Sequence, residues 1–509
     1  MKKSIFAHPF LFSLFPIASM TAANITEVEP DVLYRPAGIA LAGAAFLLLF
    51  FSLLLRRADK GALVATFWLF LFFSYGHLYN SLVGAGALGA AGQARYVLAA
   101  WILLGVAGSV AVMRTKRDLS NATRFLNFMA MVMLIMPLIT IFNYERSRQE
   151  TLSIRSRQAP ENAMAEAAPP VRPSTENNGS MESPDIYYLV FDRYSSAPRL
   201  RDVLDFDNSA FMDYLEGRGF FIAEESRANY PLTYLSLSSS LNLDYHESAR
   251  DQKDIEPIIQ DYKVWRFLKE RGYKFIHYGS AWPPTNSNRF ADQSVNYYEL
   301  DFDSFSRLLL NTTMAGPVLD RFYPQDEENR NRMLYQLQAL AKAPRIKGPK
   351  FVFAHVMMPH TPYLFNAQGR PLSEEEQAGA VEEDLYRDYI IFANGKIRSL
   401  LDTLLVDSEQ PPIVVIQADE GFRYNARSNK ERYAKPGYMD LHYGILNAYY
   451  LPGVDVEDYV YDDITPINSF RAVFNAYFDT DFKMLEDENF MLLRRGGKAS
   501  GFKRVTGRL

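Results

Sequence analysis

Apolar positions along this chain follow two regimes that change over at about residue 145. Upstream, apolar runs near residues 35 to 55, 62 to 82, 95 to 113 and 125 to 142 alternate with short polar loops. Each approaches the roughly 20 residues that a helix rising about 1.5 Å per residue needs to cross about 30 Å of hydrocarbon. They predict membrane helices. An earlier apolar stretch, residues 5 to 22, follows Lys2 and Lys3 and ends near Ala22 and Ala23, so it fits either a fifth membrane helix or a cleavable signal peptide. Its apolar length and Pro16 favour the helix.

Downstream, short runs rich in Val, Ile, Phe and Tyr alternate with amphipathic stretches. Residues 186 to 191 are followed by a helical pattern around FMDYLEGRG, FIHYGS by a region with several turns, and FVFAHV by a long helix through EEDLYRDYIIFANGKIRSLLDTLL. PIVVIQA leads through a loop to ILNAYYLP. Near-continuous apolar runs are strands buried on both faces, which is how parallel sheets covered by helices read. The expected fold is α/β, a doubly wound sheet behind a bundle of about five transmembrane helices. Residues 145 to 183 lack apolar periodicity and are rich in Pro, Ala, Ser, Glu and Asn, a composition unable to bury a core. The expected organisation is a membrane domain at 1–144, a flexible linker at 145–183 and a globular domain at 184–509.

Charge sets the orientation. Arg56, Arg57 and Lys60 follow one run and Arg114, Lys116 and Arg117 another, whereas residues 23 to 34 hold Glu27, Glu29 and Asp31. Basic loops stay in the cytoplasm, so the globular domain is expected outside it. A net charge of −5 gives no global basic patch and argues against nucleic acid as a partner. With no cysteine, disulfides and thiol chemistry are excluded.

Ionisable and nucleophilic residues collect just past the predicted strands, where open α/β sheets bind ligands. Asp192 closes IYYLVFD, Thr233 stands in NYPLTYLSLSSSLN, His360 follows FVFAHVMMPH, and Asp419 with Glu420 closes PPIVVIQADEG. Thr233 opens a helical pattern, so it is either a helix cap or a nucleophile beside free backbone N–H groups that favour an anion. Ser236 and Ser238 are alternatives on the same stretch. A single Asp at a strand end reads as a turn residue, but Asp192 and Asp419 together suggest metal ligands. Arg193 is either a phosphate contact through its planar fork or a surface residue. His355, inside a strand, reads as a satisfied core residue.

The segments PDIYYLVFDRY, NYPLTYLSLSSSLN, HVMMPHTPY, IQADEG and GILNAYYLPG, in this order after several membrane helices, resemble the membrane-anchored, sulfatase-like branch of the alkaline phosphatase superfamily. That branch includes lipoteichoic acid synthases and phosphoethanolamine transferases. The resemblance covers about residues 184 to 480. It implies a metal held by Asp192, Thr233 and Asp419, with Thr233 as nucleophile, His360 on the substrate side and His442 as another active-site histidine. The family's His beside the second Asp is Glu420 here, which leaves an oxygen-rich set suited to Mn²⁺ or Mg²⁺, with Zn²⁺ as the alternative. No Cys or Ser followed by x-Pro-x-Arg surrounds Thr233, which argues against formylglycine sulfatase chemistry. The expected activity is membrane-bound, metal-dependent phosphotransfer from a phosphodiester, with a phospholipid donor and an envelope glycan or lipid acceptor. A hydrolase, or a non-catalytic envelope assembly protein retaining the fold, are the alternatives.

Overall fold

The computed structural model describes residues 5–25, 30–84, 94–166, 183–298, 304–424 and 437–507. They divide into two compact units, Met1–Ala165 with Tyr298–Glu328, and Glu166–Tyr297 with Asn329–Leu509.

The first unit is built on helices α1 (His8–Ala23), α2 (Tyr34–Leu55), α3 (Ala58–Gly84), α4 (Ala94–Arg114) and α5 (Ser120–Glu166). Four of them are long and apolar enough to cross a membrane, over Tyr34–Leu55, Ala58–Leu82, Arg95–Arg114 and Ser120–Arg146. The earliest apolar stretch does form α1, but at 16 residues it falls short of a full span. Among the described residues there are therefore four membrane-length helices, not five. Lys60 Nζ donates to the carbonyls of Met113 and Thr115 at 2.7 and 2.9 Å, capping the end of α4. That contact brings the two basic loops to one end of the bundle, as the orientation argument requires.

α5 runs on through Glu166, past the point where composition predicts a tether. Residues 145 to 166 are rich in Glu, Arg, Gln and Ala, good helix formers, and extending an existing helix needs no new nucleation. The rest of the expected linker, 167–182, lies outside the described residues.

In the second unit the strands are β1 (Ile186–Phe191), β2 (Phe221–Ile222), β3 (Lys274–Tyr278), β4 (Gln293–Val295), β5 (Lys350–Val356), β6 (Ile413–Gln417) and β7 (Asn447–Tyr450). They form one sheet in the order β2-β7-β6-β1-β5-β3-β4. β6, β1, β5, β3 and β4 are parallel, while β7 and β2 pair antiparallel at one edge. A further hairpin, β8 (Phe490–Arg495) and β9 (Lys498–Arg504), stands apart from the sheet.

β1 shows why the sheet is covered on both sides. Tyr187, Leu189 and Phe191 face a core with Leu200, Phe211, Tyr386, Tyr389 and Leu401. Ile186, Tyr188 and Val190 face another with Leu237, Leu241, Leu268, Phe470 and Phe474. Alternate residues of a strand point to opposite faces, so an all-apolar strand must be packed on both. This is the doubly wound arrangement, with the strands' carboxyl ends left free for a site.

One polar network lies beneath that end. Tyr188 Oη donates to Gln417 Oε1 at 2.7 Å, and Gln417 Nε2 donates to Asn447 Oδ1 at 2.9 Å and Ser469 Oγ at 2.8 Å. Gln417→Leu strands these buried partners, each at a cost of about 1–3 kcal/mol. We expect thermal unfolding of the purified chain to shift down by several degrees; an unchanged midpoint would mean the network contributes nothing.

Candidate metal and phosphoryl site

Parallel pairing of β1 with β5 and β6 converts distant sequence positions into neighbours. Val190 is level with His355 on one side and with Gln417 on the other. Asp192, two residues on, therefore meets His355 of β5 and Asp419, which follows β6. One ligand atom from each of these three buried residues lies within 4.8 Å of the other two.

Their unused atoms show what the cluster can hold. Asp192 Oδ1, Asp419 Oδ2 and His355 Nε2 are buried without a hydrogen-bond partner. His355 Nε2 stands 3.3 Å from Asp192 Oδ2. The other ring nitrogen, Nδ1, is 3.0 Å from Thr285 Oγ1, and that hydroxyl is 2.8 Å from Ser280 Oγ. An outer hydrogen bond of this kind fixes the ring and leaves Nε2 to a ligand. Buried polar atoms are ordinarily satisfied, and two carboxylates with an imidazole are donors that divalent cations accept. The residues fit a divalent metal.

His355 corrects the sequence reading. It is not a satisfied core histidine, because only one of its nitrogens is bonded. The available signal was its position near the carboxyl end of a strand, level with the residues that lead to Asp192; the register that makes it decisive is a property of the sheet.

Thr233 is the first residue of the helix Thr233–Asn242, whose N-cap is Leu232 and which has no side-chain cap. Its side chain acts instead on the Asp419 carboxyl, favouring that group's charged form. Ser238 turns inward to the Tyr234 carbonyl and to His246 Nε2, 2.9 Å away, while Ser236 is buried within the helix packing.

Glu420 lies outside the group of three. Its Oε1 accepts from Arg193 Nε at 2.9 Å, and its Oε2 lies 3.3 Å from His442 Nε2. The glycine that follows makes this apposition fit. A Cβ at Gly421 would collide with the carbonyl oxygen of Leu441, so only glycine lets the segment carrying His442 lie this close. Arg193 is itself held in an unusual backbone state, with φ of 65°. A non-glycine residue in the left-handed region costs about 1 kcal/mol or more. It is restrained by its N–H to Asp419 Oδ1 at 3.3 Å and by Tyr386 Oη donating to its carbonyl at 2.6 Å.

Burial, then the charges of Asp192 and Glu420, hold the Asp419 carboxyl well above the ordinary carboxylate range, against the opposing influence of the Thr233 side chain and the Arg193 backbone N–H. For Asp192 burial also favours the neutral form, but His360, His355 and Arg193 prevail and move it down. Glu420, equally buried, is held well below its usual range by His442 and Arg193. Burial lowers His360, with Arg193 assisting and Asp192 resisting. His360 Nδ1 contacts the Thr361 carbonyl, and the residue borders a recess of about 60 Å³ shared with Ser280, Arg332, Met333 and Gln336. Asp192, Arg193, Asp419, Glu420 and His442 thus belong to one connected cluster, with His355 added, while Thr233 and His360 act on its carboxyl groups electrostatically.

No family model matches the chain, and no curated protein matches it. Among solved structures, the C-terminal periplasmic domain of EptC from Escherichia coli is similar with a TM-score of 0.43 and 12% identity, covering 67% of this chain and 97% of that one. The integral membrane lipooligosaccharide phosphoethanolamine transferase A from Neisseria meningitidis is similar with a TM-score of 0.39 and 13% identity, covering 92% and 95%. A protein of the alkaline phosphatase superfamily from Vibrio parahaemolyticus has a TM-score of 0.39 and 14% identity, covering 61% and 73%. At these scores the likenesses do not assign an activity to the chain.

In the metal-free protein, burial and the charge of Asp192 keep the Asp419 carboxyl in its neutral form, which costs stability at neutral pH that an amide would not. Asp419→Asn should then raise the unfolding midpoint of the chelated chain by a few degrees, equivalent to about 1 kcal/mol, and abolish the stabilisation that added Mn²⁺ or Zn²⁺ gives the wild type. Scanning calorimetry with and without metal checks both; a lower midpoint in the chelated variant would contradict the arrangement.

Proposed function

We propose that this chain is a membrane-bound, metal-dependent phosphotransferase that acts on a phosphodiester on the outer side of a bacterial inner membrane, with Thr233 as nucleophile. The observation that carries the reading is the set of buried ligand atoms of Asp192, His355 and Asp419 that lack partners, with Thr233 at a helix start acting on the Asp419 carboxyl. The ordered motifs that resemble the membrane-anchored sulfatase-like branch agree with it. Asp192, His355, Asp419 and Thr233 would hold a divalent cation, whose positive charge would favour the deprotonated hydroxyl and offset charge on phosphoryl oxygens. With an imidazole among the donors, Zn²⁺ and Mn²⁺ suit the set better than Mg²⁺.

The chain's own groups do the rest. In the first step the Thr233 oxygen forms a bond to phosphorus as the bond from phosphorus to the leaving alcohol breaks, and the proton lost by Thr233 goes to that alcohol. In the second, an acceptor hydroxyl displaces Thr233 from phosphorus and its proton returns to Thr233. His360 carries these protons: burial keeps it neutral and able to accept, and Asp192 favours the protonated form that donates. Free N–H groups at the start of the helix Thr233–Asn242 bind phosphoryl oxygens. Arg193 contributes its remaining guanidinium N–H groups, held by Glu420, which is braced by His442. Phospholipid headgroups supply the donor, and an envelope glycan or lipid hydroxyl is the acceptor.

Intact-mass analysis of the full chain after incubation with phospholipid should show an adduct mapped to Thr233. Thr233→Ala should abolish both adduct and turnover while Asp192, His355 and Asp419 still hold metal at saturating concentration, and unchanged turnover would overturn the assignment. Glu420→Gln separates metal binding from positioning. It should retain wild-type metal content by elemental analysis while losing roughly 10²-fold in kcat, the scale of a misplaced charge-stabilising group; loss of the metal would make Glu420 a ligand.

A further inference from the structure

A large apolar cavity lies within the membrane unit. It has a volume of about 650 Å³ and its walls are almost wholly apolar, contributed by Ile39, Gly43 and Phe46 of α2, Trp68 and Phe72 of α3, and Leu310. Leu310 belongs to an insertion, Tyr298–Glu328, that leaves the chain between β4 and the helix Gln325–Leu340 and packs with the membrane helices. Its helices Ser304–Asn311 and Gly316–Phe322 carry Leu308, Val318 and Phe322 exposed at the surface.

The backbone shows how the insertion is fixed. The Gly76 N–H of α3 donates to the Thr312 carbonyl at 2.9 Å, and the Met314 N–H donates to the Phe72 carbonyl of α3 at 3.0 Å. A Cβ at Gly76 would lie 2.6 Å from Thr312 Cα, so glycine is needed for the approach. Phe305 and Leu309 pack beside Ile17 of α1, with Ala37, Ala40 and Phe73 around them. Irregular backbone beside hydrocarbon is tolerated only where its polar groups are paired within the protein, and these two bonds pair it.

We propose that α2, α3 and this insertion form a binding groove for a membrane phospholipid, with one acyl chain against the apolar wall and the phosphate at Arg35. Arg35 lies in the first turn of α2, is exposed, and borders the same cavity. A guanidinium at the end of an apolar groove matches a molecule whose hydrocarbon ends in a phosphodiester. The groove binds lipid independently of chemistry at Thr233, so its test reads occupancy and not turnover.

The full chain is reconstituted in nanodiscs of phosphatidylethanolamine and phosphatidylglycerol containing a trace of phospholipid with a photoreactive group on its acyl chain, and labelled peptides are mapped by mass spectrometry. Peptides containing Phe46, Phe72 and Leu310 should be labelled several-fold more than those containing Leu103 of α4 or Ile139 of α5, although both of these are exposed and Phe72 and Leu310 are only half-buried. Gly43→Phe should remove that excess, because a Cβ there meets nothing within 4 Å and leaves room for the ring to occupy the groove that Gly43 lines. Gly38→Phe, on the same helix but not lining the cavity, should leave it intact. A photoreactive diacylglycerol without phosphate should label the groove less than the phospholipid does, and Arg35→Gln should erase the difference. Uniform labelling across the helices, an excess that survives Gly43→Phe, or equal labelling by both probes would overturn the proposal.

Discussion

Three carboxylates buried at the carboxyl ends of two adjacent strands impose the constraint on which this molecule depends. Asp192, Asp419 and Glu420 are almost completely withdrawn from water, and burying ionised groups is costly unless each finds a partner. Glu420 is matched by Arg193 and His442. Asp192 and Asp419 keep one oxygen each without a hydrogen bond, and His355 turns an unbonded nitrogen towards them. The strained backbone of Arg193, the close approach at Gly421 and the helix start at Thr233 are all arranged around these carboxyl groups. Such features cluster at working sites because a fold has no stability reason to maintain them.

Much of this was legible in the sequence, and for identifiable reasons. β1, β5 and β6 announced themselves as uninterrupted apolar runs, and the residues immediately beyond them could be nominated because the ends of such strands converge. The four long membrane helices were equally plain, since a span must be apolar over nearly its whole length. What remained hidden depended on register and distance. His355 looks like one more core residue until β5 is placed level with β1. Glu420 looks like a ligand beside Asp419, but its oxygens turn to Arg193 and His442, and one residue's step along the chain is enough to reverse which group it faces.

The membrane unit holds the other surprise. Composition assigns everything after residue 184 to one globular domain, yet Tyr298–Glu328 packs with the membrane helices. SFSRLLLN and GPVLDRF are too short and too polar to stand out as membrane segments, so apolar length, the signal that finds spans, passes over them. Backbone pairing with α3 fixes their place instead. Helix α5 is a related case: the stretch after residue 145 has no apolar face to bury, but as the continuation of a formed helix it needs none.

The central claim, that Asp192, His355 and Asp419 hold a metal while Glu420 holds Arg193, is tested most directly by anomalous diffraction from crystals of the full chain grown with Mn²⁺ or Zn²⁺ and measured on either side of the metal's absorption edge. We expect a single strong anomalous peak within coordination distance, about 2.0–2.2 Å, of Asp192, Asp419 and His355 Nε2, with the Arg193–Glu420 pair intact beside it. A peak coordinated by Glu420 and His442, or no peak in the cluster at saturating metal, would contradict it.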